Sequence, residues 1–241
     1  MRRSRPPAPT PVPFSPQAAR AHRDGLGLTP EQVVRAMAAH GVRLLPGHLT
    51  GWESGELHPS EQELIVLARA LWCPAAELMG APPASLRDFR VARELTAAQT
   101  AARIGMGPRG YATAELTGRW TGDPEQSAAL AEVLGLTLRE LVVQVCGAGE
   151  ELDQRLRQCV EGRWQAQLSA VAALVPVPRQ SLAEVLAALP AEYRVTSHWG
   201  AGSWGAQGPG AAGPAAEEPA VPRLDRFWAL LAVQDTGGIP V

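Results

Sequence analysis

Residues 23–37 read RDGLGLTPEQVVRAM, and residues 90–104 read RVARELTAAQTAARI. Both contain Arg-x4-Leu-Thr-x2-Gln: Arg23, Leu28, Thr29 and Gln32 match Arg90, Leu95, Thr96 and Gln99. The likeness continues downstream. Leu67-Ala-Arg-Ala-Leu71 returns as Leu130-Ala-Glu-Val-Leu134, and Leu78 as Leu141. Between these blocks, Trp52-Glu53-Ser-Gly55 corresponds to Ala114-Glu115-Leu-Thr-Gly118. Self-similarity at a spacing of one small domain marks a duplicated unit.

The helix starts are explicit. Thr29-Pro-Glu-Gln32, Ser60-Glu-Gln-Glu63, Thr96-Ala-Ala-Gln99, Asp123-Pro-Glu-Gln126 and Thr137-Leu-Arg-Glu140 are capping boxes. In each, the cap oxygen accepts from the third helical amide while the Glu or Gln reaches back to the cap amide. Pro30 takes the first helical position, where its missing N–H costs nothing. From Ser15 to Cys146 no alternating apolar pattern of useful length appears, so the expectation is all-α.

The chain has 241 residues, 22 basic and 24 acidic, for a net charge of −2. That excludes a polybasic protein but not a local basic face. Every basic residue is arginine and there is no asparagine, which fits a GC-rich genome and weakens any claim that a given Arg was selected over Lys. Residues 1–60 carry seven Arg against four acids; residues 148–241 carry seven against ten. The basic excess therefore sits on the first copy. No apolar run reaches the ~18–20 residues of a membrane span, and MRRSRPPAPTPVP lacks the apolar core of a secretion signal. Cys73, Cys146 and Cys159 lie far apart. That spacing argues against a disulfide framework or a metal site and fits a reducing cytoplasm.

The combination of Arg-x4-Leu-Thr-x2-Gln, Glu-x-Gly, Pro-Ser, Leu-Ala-x-x-Leu and Glu-Leu resembles the Cro/C1-type (XRE family) helix-turn-helix domain. The resemblance covers roughly residues 15–146. It implies two tandem five-helix, lambda repressor-like domains, 15–80 and 84–147, in a bacterial, cytoplasmic transcription regulator whose partner is double-stranded DNA. The third helix of each copy, Pro46–Glu53 and Pro108–Glu115, would be the recognition helix that enters the major groove. The resemblance also implies that Arg23 pairs with Glu53, and Arg90 with Glu115, anchoring each recognition helix; the alternative is that these residues are exposed and unrelated.

Contact with DNA would come from the outward face of the third helix. In copy one those positions are Gly47, His48, Thr50 and Gly51; in copy two they are Arg109, Gly110, Ala112 and Thr113. Arg109 can bind guanine O6 and N7 together. Arg43 and Arg119, with the helix N-termini, would hold phosphates. The position after the helix-two Thr, where this family places a phosphate-binding side chain, is here Pro30 and Ala97. Both reading faces are poor in Gln, Asn and Ser. A second reading follows from this: a protein-interaction module on a helix-turn-helix scaffold that no longer reads DNA.

The remaining segments are an Arg/Pro arm at 1–14, helices at 150–190, a Gly/Ala/Pro-rich flexible linker at 195–222 and a short apolar segment at 223–241. Arg2, Arg3 and Arg5 are candidates for a minor-groove arm or a solubilising tail. Leu152, Leu156, Cys159, Leu168, Val171 and Val175 fall at helical spacing. They make either a homodimer seam through residues 150–175 or a further helix packed back on copy two. A helix beginning near Ser181 is expected to end before Pro190. No P-loop, GxGxxG, HExxH or CxxC occurs, so no enzymatic activity, cofactor or metal is expected.

Overall fold

The computed structural model describes residues 11–194, 221–234, 236 and 239–241. Arg2, Arg3, Arg5, Trp199, Trp204 and nearly all of the expected linker lie outside the described residues. The described residues are helical with no strand. Five helices run first: α1 (Pro16–Gly25), α2 (Pro30–Ala39), α3 (Pro46–Ser54), α4 (Glu61–Ala70) and α5 (Ala75–Met79). Five more follow: α6 (Leu86–Ala92), α7 (Ala97–Arg103), α8 (Pro108–Thr117), α9 (Pro124–Leu134) and α10 (Leu138–Glu140). The chain ends in α11 (Gly149–Gln158), α12 (Trp164–Leu174), α13 (Arg179–Arg194) and α14 (Arg223–Leu231).

The capping boxes form as the sequence predicts. Thr29, Ser60, Thr96, Asp123 and Thr137 each accept from the third helical amide, with the Glu or Gln returned to the cap. Ser85 and Asp88 build a sixth at α6. α2 and α7 are closed by glycine in the left-handed region, Gly41 (φ +88°) and Gly105 (φ +67°), where a Cβ would be strained.

By packing the chain divides into two units, 1–118 and 119–241. In the first, α1, α2, α4 and α5 bury Val33, Met37, Leu64, Leu67 and Leu78 around Leu49 and Trp52 of α3. This core does not stop at the end of α5. Val91 of α6 is fully buried within it, and Ala92 packs against it.

The second unit corrects three expectations. The stretch 150–175 is not one helix. A π-helical turn (Cys159–Arg163) with Gly162 at φ +93° separates α11 from α12, because a left-handed residue cannot continue an α-helix. The helix near Ser181 does not stop before Pro190 but runs to Arg194; Leu182, Val185, Leu186 and Leu189, all buried, hold it to the core through the proline. The third correction is the homodimer seam. Leu152, Leu156, Cys159, Val171 and Val175 are buried with residues of α13 and with Phe227, Trp228 and Leu231 of α14. The chain covers its own stripe. α14 is held there by Arg223 to Asp153 (3.2 Å) and by Asp225 to Arg139 (2.6 Å). The C-terminal residues continue back to α10, where the Leu138 amide donates to the Pro240 carbonyl.

No disulfide links the cysteines: Cys73 and Cys159 are buried and Cys146 is half-buried. Burial pushes each thiol up to about 11, so they stay protonated near neutrality. Among the described residues no helix is long and apolar enough to cross a membrane.

Candidate nucleic-acid interface

The two third helices are anchored in the same way. Arg23 on α1 forks the Glu53 carboxylate, with Nε to Oε1 at 2.6 Å and Nη2 to Oε2 at 2.8 Å. Its Nη1 donates to the Leu28 carbonyl at 3.0 Å. Arg90 on α6 repeats this on Glu115, with Nε to Oε1 at 2.5 Å, Nη2 to Oε2 at 3.0 Å and Nη1 to the Leu95 carbonyl at 2.9 Å. Bidentate Arg–carboxylate contacts fix both distance and angle. Each clamp therefore ties the end of a third helix to the first helix and to the turn before the second.

The clamps are buried. The Glu53 side chain is 2% exposed and that of Arg90 3%. Hydrogen bonding to Glu53, against a smaller opposing effect of burial, raises the Arg23 pKa. At Arg90 burial disfavours the charge, but the hydrogen bonds and charges of Glu115 and Glu61 outweigh it and its pKa also rises. Tyr111, wholly buried beside Glu115, has its phenol pushed up by burial and then by that carboxylate.

With their inner sides held, α3 and α8 turn the opposite faces outward. Leu49, Trp52, Tyr111 and Ala114 are buried. Gly47, His48, Thr50, Arg109, Gly110, Ala112 and Thr113 are exposed. Gly51 is not. It is buried under Leu57, and a Cβ there would lie 2.8 Å from Leu57 Cδ1. The loop after α3 folds back over this position, with the Leu57 amide donating to the Gly51 carbonyl at 3.0 Å. The outward strip on α3 is thus narrower than helical spacing alone implies.

The chemistry of these faces is mostly that of donors. Arg43, Arg109 and Arg119 are exposed and form no ion pair among the described residues. No side chain caps α3 or α8, and each carries Pro at its start. The His48 amide is taken by the Leu45 carbonyl at 2.9 Å and the Tyr111 amide by the Gly107 carbonyl at 3.1 Å, so each helix start offers an approaching anion mainly its positive dipole end. The Thr50 hydroxyl donates to the Pro46 carbonyl at 3.0 Å, and that of Thr113 to the Arg109 carbonyl at 2.9 Å. With their protons committed to the helix, both hydroxyls are left as acceptors.

No family model, no curated protein and no solved structure matches this chain.

Sequence reasoning missed three participants. Arg20 Nη2 donates to the Glu53 carbonyl at 3.1 Å. Glu61, at the start of α4, accepts from Arg90 Nη2 at 2.9 Å and from Arg87 Nε. In the sequence Glu61 is one of two acids in a capping box, and nothing there distinguishes it from a solvated first-turn carboxylate.

Proposed function

We propose that this protein is a DNA-binding transcriptional regulator built on tandem Cro/C1-type helix-turn-helix domains. The observation that carries the reading is the duplicated clamp. Arg23–Glu53 and Arg90–Glu115 hold two helices by the same three contacts and leave the opposite face of each exposed, apart from Gly51 on α3. α3 and α8 lie along the major groove. Their N-terminal ends and Arg43 contact phosphates and position the protein; Arg109, His48, Thr50 and Thr113 meet base edges. Reading faces with so few long polar side chains favour modest sequence discrimination over a large phosphate contribution.

One observation favours the interaction-module reading. Trp72 is 89% exposed beside a cavity of about 450 Å³ lined by Leu26 and Leu71, and Leu116 on α8 is 84% exposed. Exposed apolar surface of this kind suits a protein partner.

Fluorescence anisotropy on a labelled random duplex, titrated between roughly 50 and 200 mM salt, separates the two. DNA binding gives a log–log slope of about −3 to −5, set by the number of phosphates neutralised. No binding at the lowest salt refutes the regulator and leaves the interaction module.

A further inference from the structure

The clamp of copy two reaches into copy one. Arg90 gives Nε and Nη2 to Glu115 and also gives Nη2 to Glu61 of α4. Arg87, one turn earlier on α6, is bound to the same Glu61 carboxylate. Glu61 therefore belongs by sequence to copy one and by contact to the anchor of copy two. Two further observations lie on this seam. Val91 of α6 is buried in the core of copy one, and Arg69 of α4 meets Glu94 just after α6 at 2.9 Å. A chain of contacts thus runs from the core that holds α3, through α4 and Glu61, to Arg90, Glu115 and α8.

We propose that Glu61 is a positioning residue that sets the angle of α8 relative to α3, so that the first unit reads a composite duplex site at one permitted spacing. The DNA part rests on the function proposed above; the coupling itself does not. Two domains on a free tether tolerate a range of site separations, since the tether sets only an effective concentration. Here the tether is replaced by a buried apolar residue and a four-member ionic network. The Glu61 carboxylate is partly buried, and the two arginines hold its pKa below the usual range against the opposing effect of burial. Its site at the first turn of α4 adds the favourable field of the helix end.

The test uses the full chain with spin labels on Ser54→Cys and Leu116→Cys, in a Cys146→Ser background. The native network gives a single narrow label–label distance. Glu61→Ala broadens it at least twofold, while Leu64→Val, a core change of comparable stability cost, leaves it narrow. Glu61→Asp restores part of the order, and Glu61→Gln serves if the alanine variant does not fold. A broad native distribution, or one that neither Glu61→Ala nor Glu61→Gln alters, overturns the proposal. The second arm uses the unlabelled chain and duplexes that it selects from a random library. Inserting base pairs between the two protected blocks weakens native binding by about 10-fold or more; for Glu61→Ala the loss is about 3-fold or less. Equal losses overturn the spacing role. If the native chain selects no duplex, the regulator and its spacing rule both fail, while the label distances still decide the coupling.

Discussion

Replacing Glu53 by alanine is expected to release α3 from its anchor. The Glu53 carboxylate accepts two short hydrogen bonds from Arg23 and is almost wholly buried. Removing one partner of such a pair costs ~3–5 kcal/mol when the other charge is stranded. Arg23 is not fully stranded, because it keeps the Leu28 carbonyl and Asp24 and borders solvent. The expected loss is therefore about 2–3 kcal/mol. Hydrogen exchange of the 46–54 amides, followed by mass spectrometry, should show protection falling about 30- to 150-fold. Exchanging both partners, as Arg23→Met with Glu53→Leu, should recover most of that loss, since an apolar pair of similar volume carries no desolvation cost. A protection change below about threefold for Glu53→Ala would show that the clamp does not hold α3. A double variant as damaged as the single would show that the cost is not a stranded charge.

Glu115→Ala should unprotect α8 less than Glu53→Ala unprotects α3, because Arg90 keeps Glu61 as a charged partner; parallel exchange measurements decide it. The Glu61 pKa is lower folded than unfolded, so its contribution is fully present above the unfolded value near 4.5 and fades as pH falls through the lowered folded value. Acid titration followed by exchange of the 86–92 amides should show this loss, and Glu61→Gln should reduce it, leaving the part that belongs to Glu115 on Arg90 and to the Asp88 cap. Gly80→Ala should destabilise by about 1–3 kcal/mol, since Gly80 sits at φ +70° with its missing Cβ 2.6 Å from Ser15 Cβ. Gly51→Ala should be nearly neutral in denaturant unfolding, because the exposed Leu57 side chain can move aside and alanine favours the helix. Leu156→Ala should cost ~2–5 kcal/mol and leave the sedimentation coefficient unchanged, since Leu156 faces the core of its own chain.

Sequence alone determined whatever depends on a few neighbouring residues. Capping boxes at Thr29, Ser60, Thr96, Asp123 and Thr137 are decided within four positions, and so were legible. The partners Arg23–Glu53 and Arg90–Glu115 lie 30 and 25 residues apart in the chain; the family resemblance pointed to them, and both copies carry both residues. Tertiary structure alone decided the rest. It placed Leu57 over Gly51, bent the chain at Gly162, laid α14 across the 150–175 stripe and gave Glu61 to the anchor of α8. Each of these depends on which distant surface arrives at a site. A helical period specifies that a face is apolar or a carboxylate free to pair, but it does not specify what meets it.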